Sequence, residues 1–193
     1  HYLGIKIYEK RENVFAKELL EFIEPRSNKM ILDIGTGTGR TAIAVAKNSA
    51  HSMVVGIDIY SKKTIYCNSP RRAYENAEIE GVNEKVSFNY GDVLNIPFRN
   101  QCFDAVTAGS ILHLFAETKR KHAIQEILRV LSDEGNLIVI EILRTANVTL
   151  LYLLSAFFIF QTETYWIKLL QENGLKNIRK AMIGDIAIFC AEK

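Results

Sequence analysis

Met30-Ile31-Leu32-Asp33-Ile34-Gly35-Thr36-Gly37-Thr38-Gly39-Arg40 is the stretch whose reading decides the fold. Met30 to Ile34 is an apolar strand interrupted by one acid, Asp33. Glycines follow at every second position, and an Ala/Ile/Val-rich helical pattern, Thr41 to Lys47, begins at once after them. Alternating glycines permit a sharp turn with positive φ and let the backbone approach a ligand without a Cβ in the way. The helix that follows points its unpaired N–H groups back at the same spot. Strand, glycine turn and helix make the mononucleotide-binding half of a doubly wound α/β sheet.

Working outward, Tyr8 to Glu24 has helical apolar spacing closed by Pro25, and Met53 to Ile59 is a second strand ending at Asp58. A long polar link, Tyr60 to Asn68, precedes a helix with Ser69 as N-cap and Pro70 at its first position; the helix stops before Gly81. Lys85 to Tyr90 and Phe103 to Ala108 read as strands three and four, and Lys119 to Leu131 as an amphipathic helix. Asp133-Glu134-Gly135 is expected to turn the chain into a fifth strand, Asn136 to Ile142. A helix over Thr162 to Asn173 follows, then Leu175 to Met182 and Ile186 to Ala191, a hairpin joined at Gly184-Asp185. The order implies one α/β domain over 1–193, with 1–28 an N-terminal helix and lead-in. Its sheet has seven strands, mostly parallel, with an antiparallel C-terminal hairpin and helices on both faces.

Composition agrees: 193 residues, 48% apolar and 24% charged, suffice for a core. A net charge of +2 gives no strong nucleic-acid signal. Three scattered cysteines in no metal-ligand spacing imply a reducing compartment and no metal. Charges at Lys6, Glu9, Lys10, Arg11 and Glu12 argue against a secretory leader, so a cytoplasmic location is expected.

A dinucleotide fingerprint would place a third glycine at position 40, where this chain has Arg40. Two further acids refine the reading. Asp58 ends the second strand, where a carboxylate can accept both hydroxyls of a ribose. Asp92 follows the third, placed to take an exocyclic adenine amine. Such strand ends lie on the ligand side of an open α/β sheet. The runs Leu32 to Gly39, Gly56-Ile57-Asp58-Ile59, Gly91 to Phe98, Cys102 to Val106, Ile111-Leu112-His113 and Glu126 to Leu131 leading into Gly135-Asn136-Leu137 resemble the class I S-adenosylmethionine-dependent methyltransferases, in particular the group that includes quinone-biosynthesis enzymes. The likeness runs from about Tyr8 to Lys193 and implies a Rossmann-like fold with S-adenosyl-L-methionine as cofactor. It further implies that Asp33, Gly35, Thr36, Gly37 and Gly39 hold the methionine moiety, Asp58 the ribose, Ile59 the adenine face, and Asp92 with Val93 the adenine edge. Ser110 would lie near the sulfonium and the substrate. The cofactor has no phosphate, which agrees with the absence of a Walker lysine.

Methyl transfer from a sulfonium is an in-line displacement that needs alignment and dryness, with a base only where the nucleophile must lose a proton. His113 is the base candidate; capping or packing is the bland reading of the same residue. His122, in Lys119-Arg120-Lys121-His122, reads as part of a solvated helix face. The apolar run 148–160, within the charge-free stretch Thr145 to Thr162 of the apolar segment 143–162, is too short to span a bilayer. It is expected to form a buried or homodimer-forming helix, an acceptor pocket, or a peripheral membrane or lipid contact. The acceptor expected is a small, fairly apolar molecule such as a quinone precursor or lipid. A non-catalytic S-adenosylmethionine-binding or scaffolding protein is the alternative. An RNA or protein methyltransferase and an NAD-dependent oxidoreductase are less favoured, the last by Arg40 and the terminal hairpin.

Overall fold

The computed structural model describes residues 17–23, 29–49, 51–61, 68–152 and 159–193. The expected helix before residue 17, most of the link after Tyr60 and the centre of the apolar run lie outside these residues. Seven strands form one sheet: β1 (Met30–Ile34), β2 (Met53–Asp58), β3 (Val86–Tyr90), β4 (Phe103–Gly109), β5 (Leu131–Ile142), β6 (Lys176–Ile183) and β7 (Ile186–Glu192). Their spatial order is β3-β2-β1-β4-β5-β7-β6. The first five are parallel, and β7 inserts antiparallel between β5 and β6. The chain winds outward from β1 in one direction to β3, then returns to start again at β4. The crevice above the β1–β4 junction is therefore the place where a sheet of this kind binds ligands.

Helices cover both faces. The described part of α1 (residues 17–22), α2 (Arg40–Asn48) and α3 (Pro70–Ile79) pack on one side, where Leu19, Ile43, Val45, Ala73 and Phe88 share a core. On the other side α4 (Glu117–Val130) and α6 (Glu163–Glu172) bury Ile124, Ile127, Trp166 and Leu170 against Leu32, Val106 and Val139. A short helix, α5 (Ala146–Tyr152), follows β5. The central strands are buried from both sides and read as near-continuous apolar runs for that reason.

Local signals place the ends of these elements. Ser69 caps α3 by accepting from the Arg72 N–H at 3.2 Å, with Pro70 at the first helical position. Ser69→Ala is expected to cost about 1 kcal/mol, measurable by denaturant unfolding. Thr162 caps α6 through the Tyr165 N–H, and Gly81 and Gly174 end their helices at φ 68 and 85. The expected turn at Asp133-Glu134-Gly135 takes a different form. β5 begins at Leu131, already paired to Phe103, and the register then jumps so that Ala105 pairs with Asn136. The residues between are accommodated as a bulge, so pairing starts earlier than the turn residues suggest.

Candidate active site

The crevice at the carboxyl ends of β1 to β4 gathers the residues singled out in the sequence. Asp33 sits inside β1, opposite Gly56 of β2 and Thr107 of β4. That register explains its chief contact, the Thr107 hydroxyl donating to Asp33 Oδ1 at 2.6 Å. The other oxygen, Oδ2, is buried with no hydrogen-bond partner among the described residues, and the same holds for Thr36 Oγ1. Burial pushes the Asp33 carboxyl up from 3.8 to about 6; the Thr107 hydroxyl pulls it down, and the Asp58 charge pushes it further up.

Gly35, Gly37 and Gly39 all adopt positive φ. At Gly35, φ is +66 and an added Cβ would stand 2.8 Å from Cγ1 of Ile111, so both the backbone and the space require glycine. Gly35→Ala is expected to destabilise the protein by roughly 1–3 kcal/mol, read as a lowered Tm. Gly56 serves the turn from the neighbouring strand: a Cβ there would lie 2.6 Å from Thr36 Oγ1.

Most of the turn's measured N–H bonds stay within the protein. Thr36 donates to Ile57 O at 3.1 Å and Gly39 to Thr36 O at 2.8 Å. Gly37 donates to Asp58 Oδ2 at 3.0 Å. These three amides therefore have acceptors inside the protein. Asp58 is a shared fastening point. Its Oδ1 also takes the Tyr60 N–H at 2.6 Å and the Asn68 amide at 3.5 Å.

The remaining sequence candidates line the same edge. Ile59 is exposed beside Asp58, an apolar side chain presented to the crevice edge rather than to the core. Asp92 is exposed and accepts the Leu94 N–H at 2.9 Å, while the Val93 side chain is buried in the core, which leaves only its backbone to a ligand. The loop carrying both is fastened by α4: Glu126 accepts the Ile96 N–H at 3.0 Å, and Arg129 donates to Ile96 O and Phe98 O, each at 2.8 Å. Ser110 is exposed in a left-handed conformation, φ 52, with its N–H on Ile140 O.

His113 lies in the 3₁₀ turn after β4 (Leu112–Leu114). Glu141 of β5, only 1% exposed, accepts three N–H groups from that turn: Leu112 N at 3.1 Å, His113 N at 3.2 Å and His113 Nδ1 at 2.7 Å. A carboxylate only accepts, so this pair fixes Nδ1 as the protonated nitrogen and leaves Nε2 as the basic one. From the opposite side Arg120 of α4 binds the turn's carbonyls, Leu112 O at 2.9 Å, His113 O at 3.4 Å and Phe115 O at 2.7 Å. Its guanidinium also donates to Tyr165 Oη at 2.6 Å and stacks on Tyr165 and Trp166. Two buried ions of opposite sign thus hold one short turn, one by its N–H groups and one by its carbonyls.

Arg120 corrects the reading of Lys119 to His122 as a solvated face, since it is 5% exposed. Docking of α6 covers it, and its neighbours Lys119 and His122 stay exposed. His122 ties to Leu94 O at 3.0 Å. Glu141 and Thr107 are site neighbours the sequence reading did not name, and Tyr60 and Asn68 entered it as the ends of the link after β2. A signal existed for Glu141: one acid inside Leu-Ile-Val-Ile-Glu-Ile is the pattern that drew attention to Asp33. The Phe160 ring lies 6.3 Å from that of His113, and Tyr152 packs edge-on against the Phe160 ring at 5.1 Å.

Four of the six buried polar side-chain atoms without partners among the described residues belong to Asp33, Thr36, Tyr60 and Asn68. Such atoms are costly unless something satisfies them, and their concentration fits a ligand with an amine and hydroxyls. No group of His, Cys, Asp and Glu among the described residues could hold a metal. Cys102 and Cys190 are free thiols.

Residues 31–135 match the methyltransferase domain family. The chain is 28% identical over 137 residues to demethylmenaquinone methyltransferase of Porphyromonas gingivalis, covering 70% of this chain and 53% of that one. It thus spans about half the length of curated relatives it matches. Its fold is similar to that of a SAM-dependent methyltransferase from Aquifex aeolicus (TM-score 0.71, 16% identity, 92% of this chain and 88% of that one). It is similar also to the YcgJ protein of Bacillus subtilis (TM-score 0.66, 22% identity, 90% and 71%). With the β3-β2-β1-β4-β5-β7-β6 sheet, the glycine turn and its orphaned polar atoms in place, the chain belongs to the methyltransferase domain family.

Proposed function

We propose that the chain transfers the cofactor's methyl group in line to a small, fairly apolar acceptor, and that His113 removes a proton from that acceptor's hydroxyl. The observation that carries this reading is the pairing of His113 Nδ1 with the buried Glu141, beside the Phe160 ring that Tyr152 packs against. Bound in the crevice, the cofactor supplies an activated methyl carbon on a positively charged sulfur. Asp33, with Oδ2 unpartnered, would face the cofactor's ammonium, and Asp58 its ribose. Ile59 would pack on the adenine, with Asp92 and the backbone of Val93 at its edge.

His113 Nε2 would take the hydroxyl proton as the oxygen lone pair forms its bond to the methyl carbon and the methyl–sulfur bond breaks, its electron pair returning to sulfur so that S-adenosylhomocysteine would leave as the neutral thioether. Glu141 would hold the imidazolium that results, in the manner of a base oriented by a carboxylate. The aromatic neighbours exclude water from that step and favour an apolar acceptor. Exposed Leu114, Leu150, Tyr152 and Ile159 lie on the elements around His113, which supports an acceptor carrying apolar bulk, of the kind named in the demethylmenaquinone relative. No helix among the described residues is long and apolar enough to cross a membrane, so contact with lipid would be peripheral.

Methyl transfer from labelled cofactor, assayed across hydroxylated aromatics, quinols, lipids, nucleosides and peptides, tests the reading. Transfer to quinols or other apolar hydroxyl compounds is expected. Labelling confined to nucleosides or peptides would refute it.

A further inference from the structure

Tyr60 carries three observations that the sites described so far leave unused. It is not glycine, yet its backbone is left-handed at φ 48, a conformation that costs free energy for a bulky residue. Its side chain is 6% exposed, and its hydroxyl has no hydrogen-bond partner among the described residues. Its ring is fixed edge-on against Tyr90, with centroids 5.1 Å apart. The strained backbone has a visible cause, since it lets the Tyr60 N–H reach Asp58 Oδ1 at 2.6 Å. The phenol consequently lies near the site's two carboxylates: burial first, then Asp58, then Asp33 push its ionisation upward. Asn68, at the far end of the same link, is 7% exposed and donates to Asp58 while its own Oδ1 is unpartnered.

The donor and acceptor count around Asp58 is incomplete without these two. A carboxylate can only accept. A ribose hydroxyl bound to it spends its one proton there, and its oxygen then needs a donor. Asp58 already accepts from Gly37 on Oδ2 and from Tyr60 and Asn68 on Oδ1, which leaves room for one ribose hydroxyl and not both, so the vicinal hydroxyl needs a second acceptor. Tyr60 Oη supplies the donor and Asn68 Oδ1 the acceptor, and both are buried and unused.

We propose that Tyr60 and Asn68 are cofactor-binding residues that complete the ribose set around Asp58, Tyr60 Oη donating to the hydroxyl that donates to Asp58 and Asn68 Oδ1 accepting from its neighbour. The inference rests on Asp58 being the ribose-binding acid. An unsatisfied buried hydroxyl opposes folding and favours binding, so its removal should move the two in opposite directions. A residue with a merely structural role would lose both together.

The test uses the whole chain with S-adenosylhomocysteine and its 2′-deoxy and 3′-deoxy forms, by titration calorimetry, together with thermal unfolding of the ligand-free protein. Tyr60→Phe is expected to raise the ligand-free Tm by roughly 2–4 °C and to weaken S-adenosylhomocysteine binding roughly ten-fold. One deoxy form should bind wild type and Tyr60→Phe alike, because the partner hydroxyl is already missing. Asn68→Ala should show the same loss of discrimination toward the other deoxy form. Unchanged affinity in Tyr60→Phe, a fall in Tm accompanying the fall in affinity, or additive losses with both deoxy forms would overturn the assignment. Asp58→Asn separates the levels. If it abolishes discrimination among the three ligands while Tyr60→Phe binds like wild type, Asp58 keeps its role and Tyr60 loses its own. If wild type binds all three equally, the ribose reading of Asp58 fails and takes the inference with it.

Discussion

His113→Ala is expected to lower kcat on a hydroxyl-bearing acceptor by roughly 10²–10⁴-fold, with cofactor affinity unchanged. The proton must leave as the oxygen attacks, and the imidazole is the group proposed to receive it. Glu141→Gln is the companion variant. Glutamine can still accept from the Leu112 and His113 N–H groups, so the turn keeps two of its three contacts. Its amide, however, donates toward Nδ1 and so favours the tautomer that carries its proton on Nε2, the wrong one for a base. The loss in kcat should approach that of His113→Ala while the unfolding temperature falls far less than in Glu141→Leu, which leaves the turn's N–H groups without an acceptor. Single-turnover transfer from labelled cofactor reads the step directly. An acceptor that is already ionised, such as a thiolate, supplies the control, because it needs no base. Equal losses on the thiolate and the hydroxyl would show that His113 positions the acceptor and takes no proton.

Asp33→Asn is expected to change both the pH dependence of stability and the affinity for the cofactor. The Asp33 carboxyl is raised by burial from 3.8 to about 6. A raised acid stabilises the folded state when protonated, fully below about pH 4, and that contribution is lost as the pH rises through about 6. The cost to the ligand-free protein above pH 6 is about 3 kcal/mol, on the order given by the size of the rise. Asparagine has no charge to bury and can keep its oxygen toward Thr107. The variant should therefore gain stability over wild type progressively between pH 4 and 7 in paired thermal melts. Cofactor binding should move the other way. An ammonium beside Asp33 favours the carboxylate, so wild type should release a proton on binding near pH 6. Asp33→Asn should release none there and bind S-adenosylhomocysteine roughly 10- to 100-fold more weakly, the worth of a charge-assisted hydrogen bond. Calorimetry in two buffers of different ionisation enthalpy counts the protons. Melting curves that run parallel for the two proteins across this range would sink the claim.

The legible part of the site is its local part. Asp33, the glycine turn, Asp58 and Asp92 could be read because each sits directly after or within a strand whose apolar pattern fixes where the ligand side lies. The parallel course of the first five strands followed from the same βα alternation, and the hairpin from Gly184-Asp185. Arg120 was hidden for a physical reason: its burial depends on Tyr165 and Trp166, 45 and 46 positions on, and a Lys-Arg-Lys-His run gives no sign of which member is covered. The bulge before Asn136 was hidden because pairing of Leu131 with Phe103 is a tertiary event that turn residues do not encode. Tyr60 and Asn68 were missed as side chains because the link between them reads as polar surface. Only the fold shows their unpaired atoms enclosed next to Asp58.

Asp58 has a consequence for anyone who wishes to re-engineer cofactor choice. One carboxylate accepts from Gly37 at the glycine turn, from Tyr60 at the exit of β2 and from Asn68 just before α3. Replacing it to admit an analogue altered at the ribose would also release the turn's amide and the left-handed residue after the strand. With Asp58 in its proposed ribose role, selectivity and scaffold integrity are wired to the same two oxygens. A substitution library at position 58 would sample foldability before it sampled specificity, and compensating changes at 37, 60 and 68 would have to be screened together with it.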